Sequence, residues 1–329
     1  MQITDLHEGL NVKGLECYVG SISERTTKTG KPFITVTFKD ASGEINGNVW
    51  DTSAESWQYK VNDVVAVYGT VSSYSNNLQF QFKSASLIDK PIEEFFRSSE
   101  LNIDKMFEYL VDGYIAKIED PFIRFLGENL IASRPFADLY CKAPAAKGVH
   151  HNWIGGLLEH SLGLCMMATA LYRDHYRRYF PTMSMDKVIF GCIFHDWGKI
   201  QEYDYSTPNI NYTARGKLQH HMGIVAEIVT RFAVKYEANC SLEEKSRAQY
   251  VLHELLHVIY AHHGKQEWGS MVVPASAEAL FTHLLDYMDS QMMHMRNQII
   301  EHKQGDIPGM SPRSYVHGTE YILLPEDRF

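Results

Sequence analysis

The stretch VIFGCIFHDWGK, residues 188–199, runs an uncharged apolar segment straight into an adjacent histidine and aspartate, His195-Asp196. A buried helix end that carries an imidazole beside a carboxylate needs a charged partner or a metal, because an unpaired buried charge is costly. Working outward, ligand-type residues recur on separate segments with helical spacing: His160 in GGLLEHS, His221 in KLQHHMG, His262 and His263 in YAHHGKQEWGS, and Asp286 in THLLDYMD. Such an arrangement lets each helix donate one or two ligands to a shared centre. Spacing alone does not choose between His220 and His221, or between Asp286 and Asp289.

Thirteen of the 16 histidines fall between His150 and His294, which marks this half as the place for chemistry. His175, His253, His294, His302 and His317 read as surface or packed residues. Imidazole and carboxylate ligands without thiolate suit Mn, Fe, Zn, Ni or Mg. Seven candidate ligands exceed what one ion uses once a water position is kept, so two ions bridged by Asp196 is the expected count. Two ions about 3.5–4 Å apart brace the attacking and leaving oxygens of a phosphate displacement, so phosphoester hydrolysis is the expected reaction. Lys199 reads two ways, as a cation at a helix C-terminus or as a clamp on a phosphate oxygen. Lys147 and Arg215 are weaker candidates for the clamp.

The 329 residues, 45% of them hydrophobic, are enough for two domains with separate cores. A formal net charge of −9 argues against coating nucleic acid by bulk attraction, since phosphate neutralisation needs a basic stripe. The five cysteines form no C-x-x-C pair, which suggests neither disulfides nor a thiolate zinc site. The N-terminus MQITDLHEGLNV carries no signal-like pattern and no run of about 18 apolar residues occurs, so a soluble cytoplasmic protein with no membrane partner is expected.

Residues 10–90 read as five strands with alternating patterning: LECYVGSISE, FITVTFKD, EINGNVWD, VVAVYGTVSS and LQFQFKSASLI. Five strands in about 80 residues fit a compact closed barrel of the OB type. From Pro91 the apolar spacing turns helical, first in the stretch IEEFFRSSELNIDKMFEYLVDGYIAKI and then in PFIRFLGENLI, and onward over 153–176, 185–194, 217–236, 243–261 and 275–301. The expected organisation is a β-barrel over 1–90, an all-α helical bundle over 91–304 and a C-terminal tail over 305–329.

The order H, HD, H, HH, D resembles the HD superfamily of metal-dependent phosphohydrolases, which have an all-α fold. Five strings are similar to the YhaM family of 3′-5′ exoribonucleases: APAAKGVHHNWIGGLLEHS (143–161), HDWGKIQEY (195–203), GKLQHHM (216–222), HHGKQEWGS (262–270) and HLLDYMD (283–289). That family also places an OB-type domain before its HD domain, so the resemblance covers residues from about 10 to about 300. It implies that His160, His195, Asp196 and Asp286 are the ligands typical of the superfamily. His221, His262 and His263 would add a second ion, and the string Gly-Lys-Leu-x-x-His selects His221 over His220. Trp197 departs from the small aliphatic residues common at its position and is expected to alter packing without removing a ligand. The cofactor expected is two divalent ions, manganese first, with Mg, Fe, Zn and Ni as alternatives.

An OB-type barrel binds single strands by stacking bases on aromatic side chains and tracking phosphates with basic ones. Phe33, Phe38, Trp50, Tyr74, Phe80 and Phe82 are available, and Phe33 and Tyr74, beside turns, are the favoured contacts. Arg25, Lys28, Lys31 and Lys83 are the phosphate candidates. Residues 1–90 hold eight Lys and Arg against ten Asp and Glu, a net of −2, so weak binding is expected. The function expected is hydrolysis of single-stranded RNA, or of single-stranded DNA, from the 3′ end to nucleoside 5′-monophosphates, with Asp196 and Lys199 as catalytic residues. Two alternatives are an HD phosphodiesterase or phosphatase for small nucleotides and a non-catalytic single-strand-binding adaptor. A homo-oligomer is left open.

Overall fold

The computed structural model describes residues 1–27, 29–74, 77–132, 134–148, 151–300, 305 and 307–323. Lys28, His150 and His302 lie outside the described residues. The chain divides into two compact units, Met1–Ser98 with Tyr205–Ile210, and Ser99–Asp204 with Asn211–Phe329.

In the first unit β1 (Asn11–Thr26), β2 (Pro32–Lys39), β3 (Glu44–Trp50), β4 (Val64–Tyr74) and β5 (Asn77–Leu87) close into a barrel in the order β1-β2-β3-β5-β4. The 16 residues of β1 serve two partners: its first half pairs antiparallel with β4 and its second half with β2. The change of partner needs bends, and the register shifts at Gly14, whose φ of +77° suits a bulge glycine, and again across Gly20. A parallel contact between β3 and β5 completes the closure. Alternation sends Ile34, Val36 and Phe38 of β2 and Ile45 of β3 inward onto Leu15, Val19, Val67 and Phe80. The opposite face of the same strands carries Phe33, Thr35, Asn46, Asn48 and Trp50, tied by Thr35–Asn48 and Thr37–Asn46 hydrogen bonds of 2.9 and 2.8 Å.

This unit runs past the expected boundary at Lys90. Phe95 is buried with Tyr18 and Val64, and Lys90 pairs with Glu16 at 2.6 Å, which keeps residues 91–98 on the barrel. Asn209 belongs to it too, donating its amide to the Gly20 carbonyl (3.1 Å) and to Asn62 Oδ1 (2.9 Å).

The second unit is helical: α1 (Ile103–Gly113), α2 (Pro121–Ala132), α3 (Arg134–Lys142), α4 (Gly156–Asp174), α5 (Met185–Phe194), α6 (Lys199–Glu202), α7 (Ala214–Glu237), α8 (Leu242–Ala261) and α9 (Ala277–Ile300). The stretch from Ile92 to Ile118 is not one helix. Asn102 caps α1 by accepting from the Lys105 amide at 2.9 Å, and only short 3-10 turns flank it. Helix α3 was not anticipated from the sequence. Helices α4, α5 and α9 pack on one another, α8 packs on α5 and α9, and α7 packs on α8. Described residues of the tail fold back on α9, where His294 Nε2 meets Ser314 Oγ at 2.9 Å and Tyr321 is buried. Among the described residues no helix is long and apolar enough to cross a membrane.

Candidate metal centre

All seven residues singled out as ligands belong to the helical unit, from α4 (His160), the turn after α5 (His195, Asp196), α7 (His221), the end of α8 (His262, His263) and α9 (Asp286). They form two groups, Asp196 with His221, His262 and His263, and His160 with His195 and Asp286; within each group the ligand atoms lie within 4.8 Å of one another.

Asp196 stands between them. Its Oδ2 lies 3.4 Å from His195 Nε2 and 4.0 Å from His160 Nε2, while its Oδ1 lies 3.4 Å from His221 Nε2 and 3.6 Å from His262 Nε2. In the first group His160 Nε2 is 3.4 Å from His195 Nε2 and 3.3 Å from Asp286 Oδ1.

The far nitrogen of each ring explains why the near one turns inward. His195 Nδ1 donates to the Gly191 carbonyl (3.0 Å) and His262 Nδ1 to the Ile259 carbonyl (2.6 Å), which leaves each Nε2 its lone pair. His221 Nδ1 meets Glu202 Oε2 at 3.0 Å, and His160 Nδ1 meets Asp289 Oδ2 at 2.7 Å. Outer carboxylates and carbonyls of this kind fix the tautomer and orientation of metal-binding histidines.

Four ligand-type atoms, Asp196 Oδ1, His221 Nε2, His262 Nε2 and His263 Nδ1, are buried with no hydrogen-bond partner among the described residues. Buried polar atoms are almost always satisfied, so four orphans converging on one point fit a cation as the missing partner.

The electrostatics agree. Burial pushes the imidazoles of His221 and His262 down and that of His263 to about 4, so all three are neutral donors near neutral pH. Burial works against charge on Asp196, but Lys199 and His195 hold it well below the usual carboxylate range. Burial likewise opposes protonation of His160, yet Asp286 and Asp289 raise its pKa to about 10. A cation entering that group competes with a proton, so its binding weakens as pH falls.

Backbone geometry builds the approach. A Cβ on Gly198 would sit 2.1 Å from the His221 carbonyl oxygen, so the HDWGK turn touches α7 only because this position is glycine. His220 interrupts α7 with φ +55° and ψ 160°, a conformation costing on the order of 1–3 kcal/mol. Glu202 offsets it by accepting from the His221 amide (3.1 Å) as well as lying 3.1 Å from His220 Nδ1. Trp197 is fully buried against Phe136 and Phe194, beside the ligands and not among them.

Lys199 opens the one-turn α6, five residues beyond the end of α5. Its buried ammonium lies 2.5 Å from Asp196 Oδ2. Lys147 and Arg215 are not brought to the cluster. Lys147 is exposed, 5.7 Å from the centre of the Tyr212 ring, and Arg215 is engaged by Glu227 and Gln219 at 2.7 Å each and by Gln201. His151 and the outer carboxylates Glu202 and Asp289 were missed or set aside in the sequence reading. His151, buried with φ +44°, places Nε2 3.0 Å from the Asp289 oxygen that also meets His160.

On the barrel, Phe38 and Phe80 belong to the core, and half-buried Phe82 packs on Trp57. Phe33 is half-buried and lies against Trp50, its cross-strand partner, with ring centres 4.8 Å apart. Trp50 is 60% exposed and Tyr74 69%. Arg25 stands opposite Phe33 in the register, and Lys31 pairs with Asp51 at 3.3 Å. Trp50 is therefore an addition to the two aromatic residues favoured from sequence.

Comparison with known proteins gives two family matches, an HD domain over residues 157–291 and an OB-fold nucleic acid binding domain over 18–88. The 3′-5′ exoribonuclease YhaM of Listeria innocua is 30% identical over 304 residues, covering 89% of this chain and 91% of that protein. The YhaM proteins of Listeria welshimeri and of a Geobacillus species are 28% and 27% identical, covering 97% and 94% of this chain and 98% and 93% of their own lengths. Among solved structures, the second OB-fold domain of replication protein A from Methanococcus maripaludis covers 28% of this chain and 96% of its own, at 23% identity and a TM-score of 0.23. The barrel assignment rests on strand pairing and not on that last likeness.

Proposed function

Because the chain belongs to the YhaM family of 3′-5′ exoribonucleases, we propose that it shortens single-stranded RNA from the 3′ end by metal-dependent hydrolysis, releasing nucleoside 5′-monophosphates. The observation that carries this reading is the division of Asp196, one oxygen turned to His195 and the other to His221 and His262. A carboxylate so placed suits two cations, with His160, His195 and Asp286 completing one set and His221, His262 and His263 the other. Manganese is the first metal proposed, with Mg, Fe, Zn and Ni as alternatives that the same imidazole and carboxylate set also suits.

Divalent cations bound there supply a water acidified toward neutral pH and positive charge for the phosphate oxygens. The protein's own residues do the rest. Glu202, Asp289 and the carbonyls of Gly191 and Ile259 hold the imidazoles in the tautomer that directs a lone pair inward. Lys199 keeps a buried ammonium against Asp196, a fixed positive charge for a phosphate drawn to the cluster. Trp197 and its aromatic neighbours exclude water from one side.

On the barrel, Phe33, Trp50 and Tyr74 offer stacking surfaces that accept any base, with Lys31 and Arg25 for phosphates. RNA is the proposed polymer. Five free cysteines suit work in the reducing cytoplasm.

The test is incubation of the protein with 5′-labelled single-stranded RNA in Mn²⁺, Mg²⁺ or EDTA. A ladder of shortening labelled products with metal, absent in EDTA, is expected. RNA left intact in every metal would refute the proposal, and equal loss of matched DNA would widen the substrate class.

A further inference from the structure

An aromatic pair in the helical unit takes no part in the ligand cluster or in the barrel. Trp268 and Tyr287 lie nearly parallel, with ring centres 5.3 Å apart and planes 7° from each other, and they are 44% and 43% exposed. Both are tied to the candidate ligands. Tyr287 directly follows Asp286 on α9. Trp268 precedes Gly269, where a Cβ would stand 3.5 Å from His263 Nδ1.

The loop bearing Trp268 is fixed from below. His283, one turn before Tyr287, donates Nδ1–H to the His262 carbonyl at 2.7 Å, and its ring lies 2.2 Å from where a Gly264 Cβ would be. A loop held by that contact does not need a tryptophan and a tyrosine left half in water. Large exposed rings beside a phosphate-handling site are suited to a ligand with a flat apolar face. Lys265 adds a cation, its ammonium 4.4 Å over the Trp268 ring and 3.5 Å from Glu267, with its side chain 58% exposed.

We propose that Trp268 and Tyr287 form a nucleobase-stacking subsite for the nucleotide being released, with Lys265 serving a phosphate of that nucleotide. The inference rests on the exoribonuclease reading and deepens it. A polymer-binding barrel alone does not position the last nucleotide, whereas a platform that adjoins Asp286 through Tyr287 and nears His263 through Gly269 does. Because either ring presents a π-face and no base-edge donors are needed, the subsite accepts all four bases.

Two measurements on the full chain test it. The first compares a 5′-labelled oligoribonucleotide with the same strand lacking its 3′-terminal base. The unmodified protein should lose about 5- to 150-fold in kcat/KM on the abasic strand, the range one stacked base accounts for. Trp268→Ala should cleave both strands at the unmodified protein's abasic rate, and Tyr287→Leu should move in the same direction should Trp268→Ala fold poorly. Full discrimination retained by both variants would overturn the proposal.

The second measurement does not need turnover. Adenosine 5′-monophosphate should quench tryptophan fluorescence where ribose 5-phosphate does not, and Trp268→Phe should remove that component. An identical quench in Trp268→Phe would exclude Trp268 from the subsite. An unmodified protein that shortens no RNA, yet shows the Trp268-dependent quench, would sink the exoribonuclease reading and leave the base subsite standing.

Discussion

On the outer face of the barrel Trp50 is 60% exposed and touches Phe33, while in the helical unit His160, His195 and His262 are fully shielded and each is oriented through its second ring nitrogen. The two regions handle nucleic acid under different physics. Rings in water are each replaceable at modest cost, and only a touching pair such as Phe33 and Trp50 is coupled. Buried ligand atoms share one low-dielectric space, so losing one leaves the others uncompensated.

This contrast fixes the order of expected effects. Asp196→Asn removes a charge facing both ligand groups and should lower turnover by roughly 10³-fold or more, the scale of a lost transition-state electrostatic contact. Filter binding of RNA to the same variant should change less than about twofold, as expected where the proposed stacking on the barrel carries the strand. Turnover that survives Asp196→Asn would break the comparison. Asp289→Asn should raise the Mn²⁺ concentration needed for half activity by about 10- to 100-fold, as expected for a carboxylate that orients a ligating imidazole. An unchanged metal requirement would make Asp289 a packing residue.

Trp50→Ala should weaken RNA binding by about 1–2 kcal/mol, read as a higher KM on a long strand with kcat unchanged. A fall in kcat alone would place Trp50 in the chemistry and erase the distinction. The smallest effect belongs to Lys31→Ala. Lys31 and Asp51 are 67% and 66% exposed, so their pair should contribute at most about 1 kcal/mol to stability, and thermal unfolding should barely move. A change in the salt dependence of RNA binding of about 0.7 in slope would mark Lys31 as a phosphate contact.

The same contrast governs what was legible in the sequence. The barrel strands announce themselves because a period of two is written into each segment, as in Phe33 to Lys39, where Ile34, Val36 and Phe38 turn inward. The candidate ligands stand out by residue type, since histidines and aspartates at helix ends are conspicuous wherever the fold later takes them.

What supports them is not legible. Asp289 meets His151 across 138 residues and His160 across 129, and Glu202 is joined to His221 by a helix kink at a histidine that helical spacing alone would not place out of the helix. The break between Phe95 and Ile103 was hidden because apolar residues at three-to-four spacing continue across a segment that Asn102 then caps. The pairing of Phe33 with Trp50 required the β2–β3 register, which alternation within one strand does not supply.

Central to this account is that side chains from five segments of one helical unit converge to hold a pair of divalent ions across Asp196. Crystals grown with Mn²⁺ and measured for anomalous scattering test it directly. Two peaks are expected, each about 2.0–2.3 Å from its ligand atoms, one among His160, His195 and Asp286, the other among His221, His262 and His263, with Asp196 reaching both. A map with manganese bound elsewhere, or with no peak on either side of Asp196, would contradict the account.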